Sequence, residues 1–426
     1  MSNQSTSMAA KSNARKKSGK SLFRRINDWL HLWLGLASGL IVFILGITGC
    51  IYCFQKEITS LTQPYQFVKT EDKPYITPSA LKKIAEQQQF GDKAGKPGSV
   101  INGIQYPGRG KAAIASYRDK KTGFMMIYMN PYSGEILKVK ELEKDFFRII
   151  LAGHFNLWLP RQVGQQIICW ATGIFVILLI SGLIMWWPKN LRKANVDKSF
   201  KVKWKASFKR VNYDLHNVLG FYVLIGALII AITGLYFGWK WVPKSIYRIA
   251  SGGKTMPERR GQVFSDTTNI PPQTALYSSE DRVWANLNQE YKGRGSLSIT
   301  FPQKQSDAIT TTYNPGEGTF YKSHTRYFDQ YTTKEIKGKT LFSKKYEESS
   351  GADKLVRMNY DIHIGAIGGF AGKCIAFLIS LIAGSFPVTG FIIWWGKRKK
   401  GKVRAKPKRA AKLMVVERLE EANVIM

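Results

Sequence analysis

His31–Leu32–Trp33–Leu34–Gly35, which leads into an apolar stretch ending Ile47–Thr48–Gly49, decides how the chain is read. The same grammar returns at His216, Gly220 and Ile232–Thr233–Gly234, and in both copies the Thr stands 17 residues after the His. This is an internal repeat built on a histidine at the mouth of a long apolar run. A helix needs about 20 apolar residues to cross a bilayer, and four stretches qualify: roughly 30–54, 165–187, 215–239 and 366–395. The fold class expected is therefore membrane α-helical.

The first run follows a basic N-terminus as a secretory signal would, but its apolar core is too long and no small-residue cleavage site follows. It reads as an uncleaved anchor. Basic residues fix the orientation. Residues 1–29 carry Lys11, Arg15, Lys16, Lys17, Lys20, Arg24 and Arg25 against the single acid Asp28. The loop 188–213 and the tail from Lys397 to Lys412 are equally basic. Four crossings put all three on one side, so both termini are expected in the cytoplasm. The division that follows is a disordered basic tail (1–21), transmembrane helix 1 (22–54), a first outside domain (55–147), and a histidine-bearing segment with transmembrane helix 2 (148–187). A basic loop (188–213), transmembrane helix 3 (214–242), a second outside domain (243–356), transmembrane helix 4 (357–396) and a basic tail (397–426) complete it.

With 64 Lys and Arg against 29 Asp and Glu, the formal net charge is +35. Much of the excess sits beside membrane runs, where it sets topology and attracts anionic lipid, so no nucleic-acid partner is expected. The four cysteines, Cys50, Cys53, Cys169 and Cys374, lie in or beside apolar runs. No disulfide framework supports the outside domains, and the Cys50-x-x-Cys53 spacing, being inside a helical run, reads as soft packing.

Both outside segments read as α+β. In the first, Thr77–Pro78 is a helix start, and strands are expected at Ala112–Tyr117, Phe124–Met129 and Glu135–Lys140 around the turn Asn130–Pro131–Tyr132–Ser133–Gly134. In the second, Ser279–Glu280 opens a helix through Glu290, and strands are expected at Ser296–Phe301, Ala308–Tyr313 and Thr319–Lys322. The stretch Tyr327–Ile336 echoes Met129–Ile136, with Thr333 where the first copy has Gly134. The apolar runs at 165–187 and 366–395 also match, each ending on a Gly, three apolar residues and a Trp pair (Gly182 to Trp186–Trp187, Gly390 to Trp394–Trp395), an interfacial anchor.

Four of the five histidines stand at the ends of membrane runs: His31 and His216 on the cytoplasmic side, His154 and His363 outside. Ionisable residues associated with membrane helices are functional candidates by default. One histidine from each repeat at each face is what a cofactor with two trans positions requires, and two imidazoles on facing helices supply both axial ligands of a haem. Gly35, Gly39, Gly220 and Gly226 leave room for a macrocycle or let helices approach. Arg24, Arg25 and Arg210 inside, with Arg148, Arg161 and Arg357 outside, are candidate propionate contacts; topology and lipid contact explain them equally well. Zinc wants three or four clustered ligands, which two pairs a membrane apart do not offer. A proton relay usually involves carboxylates, and the apolar runs contain none.

Several stretches together resemble a known family, the PepSY-associated transmembrane proteins, bacterial iron-regulated membrane proteins that include ferric-siderophore reductases. The likeness covers roughly residues 22–400. It rests on Arg25 through His31–Leu32–Trp33–Leu34–Gly35, Thr48–Gly49, Thr233–Gly234, Asn130–Pro131–Tyr132–Ser133–Gly134, His154, Ser181–Gly182 with Trp186–Trp187, His216, and His363 with Gly368–Gly369. The resemblance implies a four-helix core with PepSY-like outside domains. It also implies haem held by such histidines and reduction of ferric chelates in the periplasm during iron acquisition. Residue by residue, His31, His154, His216 and His363 carry over as ligands of two haem b groups. Pairing His31 with His216 and His154 with His363 follows from topology.

The reading is an inner-membrane di-haem protein, a ferric-siderophore reductase. Its electrons come from a cytoplasmic flavoprotein or a membrane quinol, because no dinucleotide or phosphate-loop motif is present. The rival is a non-enzymatic membrane sensor whose PepSY-like domains bind a partner. A permease is disfavoured by apolar runs without charges, and a hydrolase by the absence of a Ser/His/Asp arrangement. His324, in the second outside domain, reads as a surface residue.

Overall fold

Among the described residues, four helices are long and apolar enough to cross a membrane: Leu22–Cys53, Arg161–Trp186, Phe208–Gly238 and Ala366–Arg398. They coincide with the four expected runs. The computed structural model describes residues 21–96, 99–188, 192–259, 261–268, 270 and 278–423; the tail expected to be disordered lies, but for Ser21, outside the described residues. In chain order the helices are α1 (Leu22–Cys53), α2 (Gln55–Thr62), α3 (Pro78–Phe90), α4 (Phe146–Asn156), α5 (Arg161–Trp186) and α6 (Lys193–Phe200). They continue with α7 (Phe208–Asp214), α8 (Gly220–Gly238), α9 (Trp241–Ala250), α10 (Ser279–Glu290), α11 (Gly351–His363) and α12 (Gly369–Asn423).

In the bundle α1 packs on α5 and α12, α5 on α8, and α8 on α12, which closes a ring of four. Lipid supplies no hydrophobic drive between helices, so close backbone approach through small residues does the work. A Cβ on Gly46 would stand 2.7 Å from Gly384 Cα, which keeps α1 and α12 in contact only while both are glycine. The Cys53 thiol donates to Lys373 O (3.3 Å) and that of Cys50 to Phe377 O (3.5 Å) along this seam. The fourth apolar run is not free of charge as expected: Lys373, buried on α12, pairs with Glu57 of α2 at 2.6 Å. The Trp pairs divide their duties: Trp187 and Trp395 are exposed, but Trp186 is buried, stacked on Phe221 and donating Nε1–H to Ser199 O (2.9 Å). Trp186 is thus a packing residue and not the anchor expected.

Between α1 and α5, and again between α8 and α12, the chain builds strands β1 (Gly103–Tyr106), β2 (Ala113–Asp119), β3 (Gly123–Met129), β4 (Ile136–Glu141), β5 (Ser296–Thr300), β6 (Ile309–Asn314), β7 (His324–Phe328) and β8 (Glu335–Ile336). They form one antiparallel sheet in the order β4-β3-β2-β1-β5-β6-β7-β8. The two outside segments, expected as separate domains, therefore share a sheet and a core. The join is β1 against β5, Gly103 facing Thr300 and Tyr106 facing Leu297. β1, four residues long, escapes notice in the sequence because so short a segment has too few alternations to register. α3 and α10 cover one face, burying Leu81, Ala85, Ile104, Ile127, Trp284, Ile299 and Ile309 together. Each fully buried aliphatic of this kind contributes about 1.5–3 kcal/mol.

Two further boundaries move. The strand expected at Thr319–Lys322 is absent; the amides of Phe320 and Tyr321 instead donate to the buried carboxylate of Asp361 on α11 (2.8–3.0 Å), and β7 begins at His324. The run read as one helix over 357–396 breaks between α11 and α12, where Gly365 (φ +73°) and Gly369 (φ +62°) are left-handed. The two turns that echo each other share a bonding pattern: Gly134 N–H donates to Asn130 O and Thr333 N–H to Asp329 O, both at 2.9 Å. Thr333 accepts the left-handed conformation (φ +59°) that Gly134 takes freely.

Thr77 and Ser278 occupy the N-cap positions of α3 and α10. The Thr77 side chain makes no cap bond. Asp281 of α10, buried, accepts from Ser79 N (2.8 Å) and from Ser79 Oγ. One carboxylate therefore ties the two halves of the sheet's helical cover. Asp281→Ala strands these donors, at about 1–3 kcal/mol. Hydrogen exchange in the first turn of α3 should accelerate while that of α11 stays put; unchanged exchange in α3 would contradict this role.

Candidate functional site

Each of the four membrane-end histidines is held at Nδ1 by a neighbouring helix. His31 of α1 lies 3.2 Å from Ser181 Oγ of α5. His216 lies 2.8 Å from Thr389 Oγ1 of α12. His154 of α4 lies 3.1 Å from both Thr48 Oγ1 and Leu45 O of α1. His363 of α11 lies 3.0 Å from Thr233 Oγ1 and 3.1 Å from Ile230 O of α8. In every case a glycine follows the hydroxyl residue. A Cβ on Gly182 or Gly390 would stand 3.4 Å from the Cε1 of His31 or His216, and one on Gly49 or Gly234 would stand 3.2 Å from that of His154 or His363. The hydroxyl holds the ring and the glycine makes space for it.

At the sheet end the contacts settle the tautomer. A carbonyl only accepts, so Leu45 O and Ile230 O require N–H at Nδ1 of His154 and His363. Thr48 and Thr233 direct their own hydroxyl protons to Ile44 O (2.6 Å) and Ile229 O (2.7 Å), leaving a lone pair for the ring. For His154 and His363 Nε2 therefore carries the free lone pair. His216 also sits in a single π-helical turn, Leu215–Leu219, between α7 and α8; such turns re-aim side chains and recur at functional sites.

The histidines come together in two pairs, one at each end of the bundle. At the sheet end the rings of His154 and His363 are 6.2 Å apart between centroids. Two imidazoles on opposite sides of one metal, each nitrogen about 2 Å from it, stand roughly that far apart. At the basic end His31 and His216 line one cavity of about 810 Å³, with Gly35, Gly39 and Gly220 in its walls and Arg25, Asp28 and Lys397 among its polar groups. That volume suits a bound cofactor, for which pockets run about 300–1,000 Å³. The cavity beside His154 and His363 is narrower, about 130 Å³. Val42 and Phe175 line both, so one layer of side chains separates them. Among the described residues no three His, Cys, Asp or Glu side chains gather as a metal site.

The arginines fare differently from one another. Arg25 lines the larger cavity. Arg210 is paired with the buried Asp214 (2.9 Å), Arg148 lies 3.9 Å from Glu143, and Arg161 lies over Phe155. The Arg24 contact described is its backbone N–H on Ser21 Oγ. Arg357, buried, is consumed by the carbonyls of Tyr321, Ser323 and Lys344 and by Ser349 Oγ, all within 3.0 Å. It holds the connection between sheet and α11 and is not turned toward the His363 cavity, contrary to its expected propionate role. Gly226 admits Ile379 of α12, 2.3 Å from where its Cβ would be. His324 lies on β7 opposite Tyr313 and lines neither cavity; burial pushes its imidazole below the ordinary value.

One residue type escaped the sequence reading. Asn27, Asn212 and Asn359 stand one helical turn before His31, His216 and His363, and each donates its amide to the backbone carbonyl of the same Ser or Thr that holds the histidine: Ser181 O (3.3 Å), Thr389 O (3.0 Å) and Thr233 O (3.1 Å). The signal is present as Arg25-x-Asn27-x₃-His31, Arg210-x-Asn212-x₃-His216 and Arg357-x-Asn359-x₃-His363, with Arg148-x-Ile150-x₃-His154 as the exception.

A family model described as the PepSY-associated TM region matches residues 29–397. No curated protein matches the chain.

Removing a hydroxyl while keeping its shape isolates the hold on a histidine. Thr389→Val leaves the buried Nδ1 of His216 without its hydrogen-bond partner, at about 1–3 kcal/mol, whereas Thr389→Ser retains it. Purified Thr389→Val is expected to melt below wild type in detergent and Thr389→Ser close to it. Equal melting of all three would show that Thr389 does not hold the ring.

Proposed function

The chain belongs to the PepSY-associated TM family, and from that premise and the paired histidines we propose a di-haem, inner-membrane ferric-siderophore reductase. The observation that carries the reading is the set of four histidines with Nδ1 engaged by neighbouring helices, grouped two and two. A haem b at each pair would supply one-electron chemistry. His31 and His216 would hold the group at the basic end, His154 and His363 the group at the sheet end, each through Nε2. The Nδ1–H bonds of His154 and His363 to carbonyl oxygen make those imidazoles stronger donors, and the oxygen at Nδ1 of each histidine fixes its plane. Arg25, which lines the larger cavity, would meet a propionate.

The basic end is proposed as cytoplasmic, from its Lys and Arg, so that both termini are inside and the sheet is periplasmic. There each half of the sheet, with its own helix and matching turn, is a PepSY-like unit, the product of an internal duplication that also explains the repeated histidines. A flavoprotein or quinol would deliver electrons at the basic end and a ferric siderophore would accept them at the sheet end. Hard oxygen chelators bind Fe(II) less tightly than Fe(III), so reduction alone releases the metal.

Full-length protein, purified after expression with ample haem supply, should show low-spin haem. Once reduced anaerobically, it should be reoxidised by a ferric hydroxamate chelate with Fe(II) appearing in solution. His363→Ala should slow that reoxidation by about 10- to 100-fold, the usual weight of a ligand shell. A colourless protein would overturn the proposal and leave a partner-binding membrane sensor as the reading.

A further inference from the structure

The asparagine clamp divides the four histidines three against one. On α1, α11 and the turn carrying His216, a residue one turn before the histidine bonds the carbonyl of the Ser or Thr whose hydroxyl holds the ring. Ser181, Thr389 and Thr233 are thus each gripped at two points, and histidine and hydroxyl cannot slide apart without breaking both bonds. On α4 the corresponding residue is Ile150, which has no donor to offer Thr48 O. His154 and His363 are otherwise matched, each with one threonine and one carbonyl at Nδ1, so the missing amide is the difference between them.

A second feature singles out the same element. α4 has 11 residues, and the turn after it places two consecutive side chains, Leu157 (φ 54°) and Trp158 (φ 56°), in the left-handed region. Non-glycine residues there store backbone strain. The turn after α11 uses Gly365 instead, at no such cost. α4 is thus short, unclamped and strained.

We propose that Asn27, Asn212 and Asn359 are positioning residues that lock their histidines in place, and that His154, lacking one, is the exchangeable ligand that opens a coordination position at the sheet end. This rests on the haem reading. The open position would lie on the side where a ferric chelate is proposed to arrive, and the locked pair at the basic end would stay closed to outside ligands. His154 would give up its place to an incoming neutral donor, one donor replaced by another with no electron transferred.

Carbon monoxide is the probe, added to dithionite-reduced full-length protein and counted by its visible spectrum against haem content. Wild type should bind about one carbon monoxide per chain, at the sheet-end haem. Ile150→Asn, which restores the missing amide, should lower the fraction bound by about two- to tenfold, the worth of one hydrogen bond. Asn212→Ala should raise the count toward two by unlocking the basic end, and it needs no new polar group in the interior. Haem present with a count that neither substitution moves would overturn this proposal alone. Absence of haem would overturn it together with the reductase reading.

Discussion

A histidine offers two nitrogens, and what one does determines what the other can do. In this chain a hydroxyl from a different helix occupies Nδ1 of all four membrane-end histidines. The helix pairing α1–α5, α8–α12, α1–α4 and α8–α11 follows the same four contacts. Hydrogen bonds between membrane helices are modest in energy, yet they are directional where apolar packing is not. They fix which faces of the helices meet, and hence where the free Nε2 lone pairs point.

Much of this arrangement was legible in the sequence. Four apolar runs declare four spans, and the paired placement of histidines at their ends survives as two close pairs. The 17-residue interval from His31 to Thr48 and from His216 to Thr233 has a meaning that helix geometry explains. At 1.5 Å per residue it is about 26 Å, nearly the thickness of the hydrocarbon core. The threonine therefore lies at the far end of the span and serves the opposite pair: Thr48 holds His154, not His31. Each α1 or α8 span is a ligand-bearing helix at one end and a ligand-holding helix at the other.

What was not legible depends on pairing across space. The join of the two outside segments rests on Gly103–Tyr106, too short to betray itself by alternation, meeting Ser296–Thr300 nearly 200 residues later. The π turn at His216 leaves no compositional mark. Arg357 reads like a charge available for a ligand until its carbonyl partners are seen. The asparagines were visible as a spacing, but a polar residue at the head of a helix has many uses, and only the contacts to Ser181 O, Thr389 O and Thr233 O give it one.

The central claim is that the histidines act as two pairs, one at each end of the bundle. Haem content of double alanine variants tests it most directly, counted per chain by pyridine haemochrome. His31→Ala with His216→Ala empties one site and should leave about one haem, as either substitution alone does, whereas His31→Ala with His363→Ala strikes both sites and should leave close to none. If the two double variants retained equal haem, or if all single variants kept the full complement, the pairing would be wrong and with it the route for electrons across the membrane.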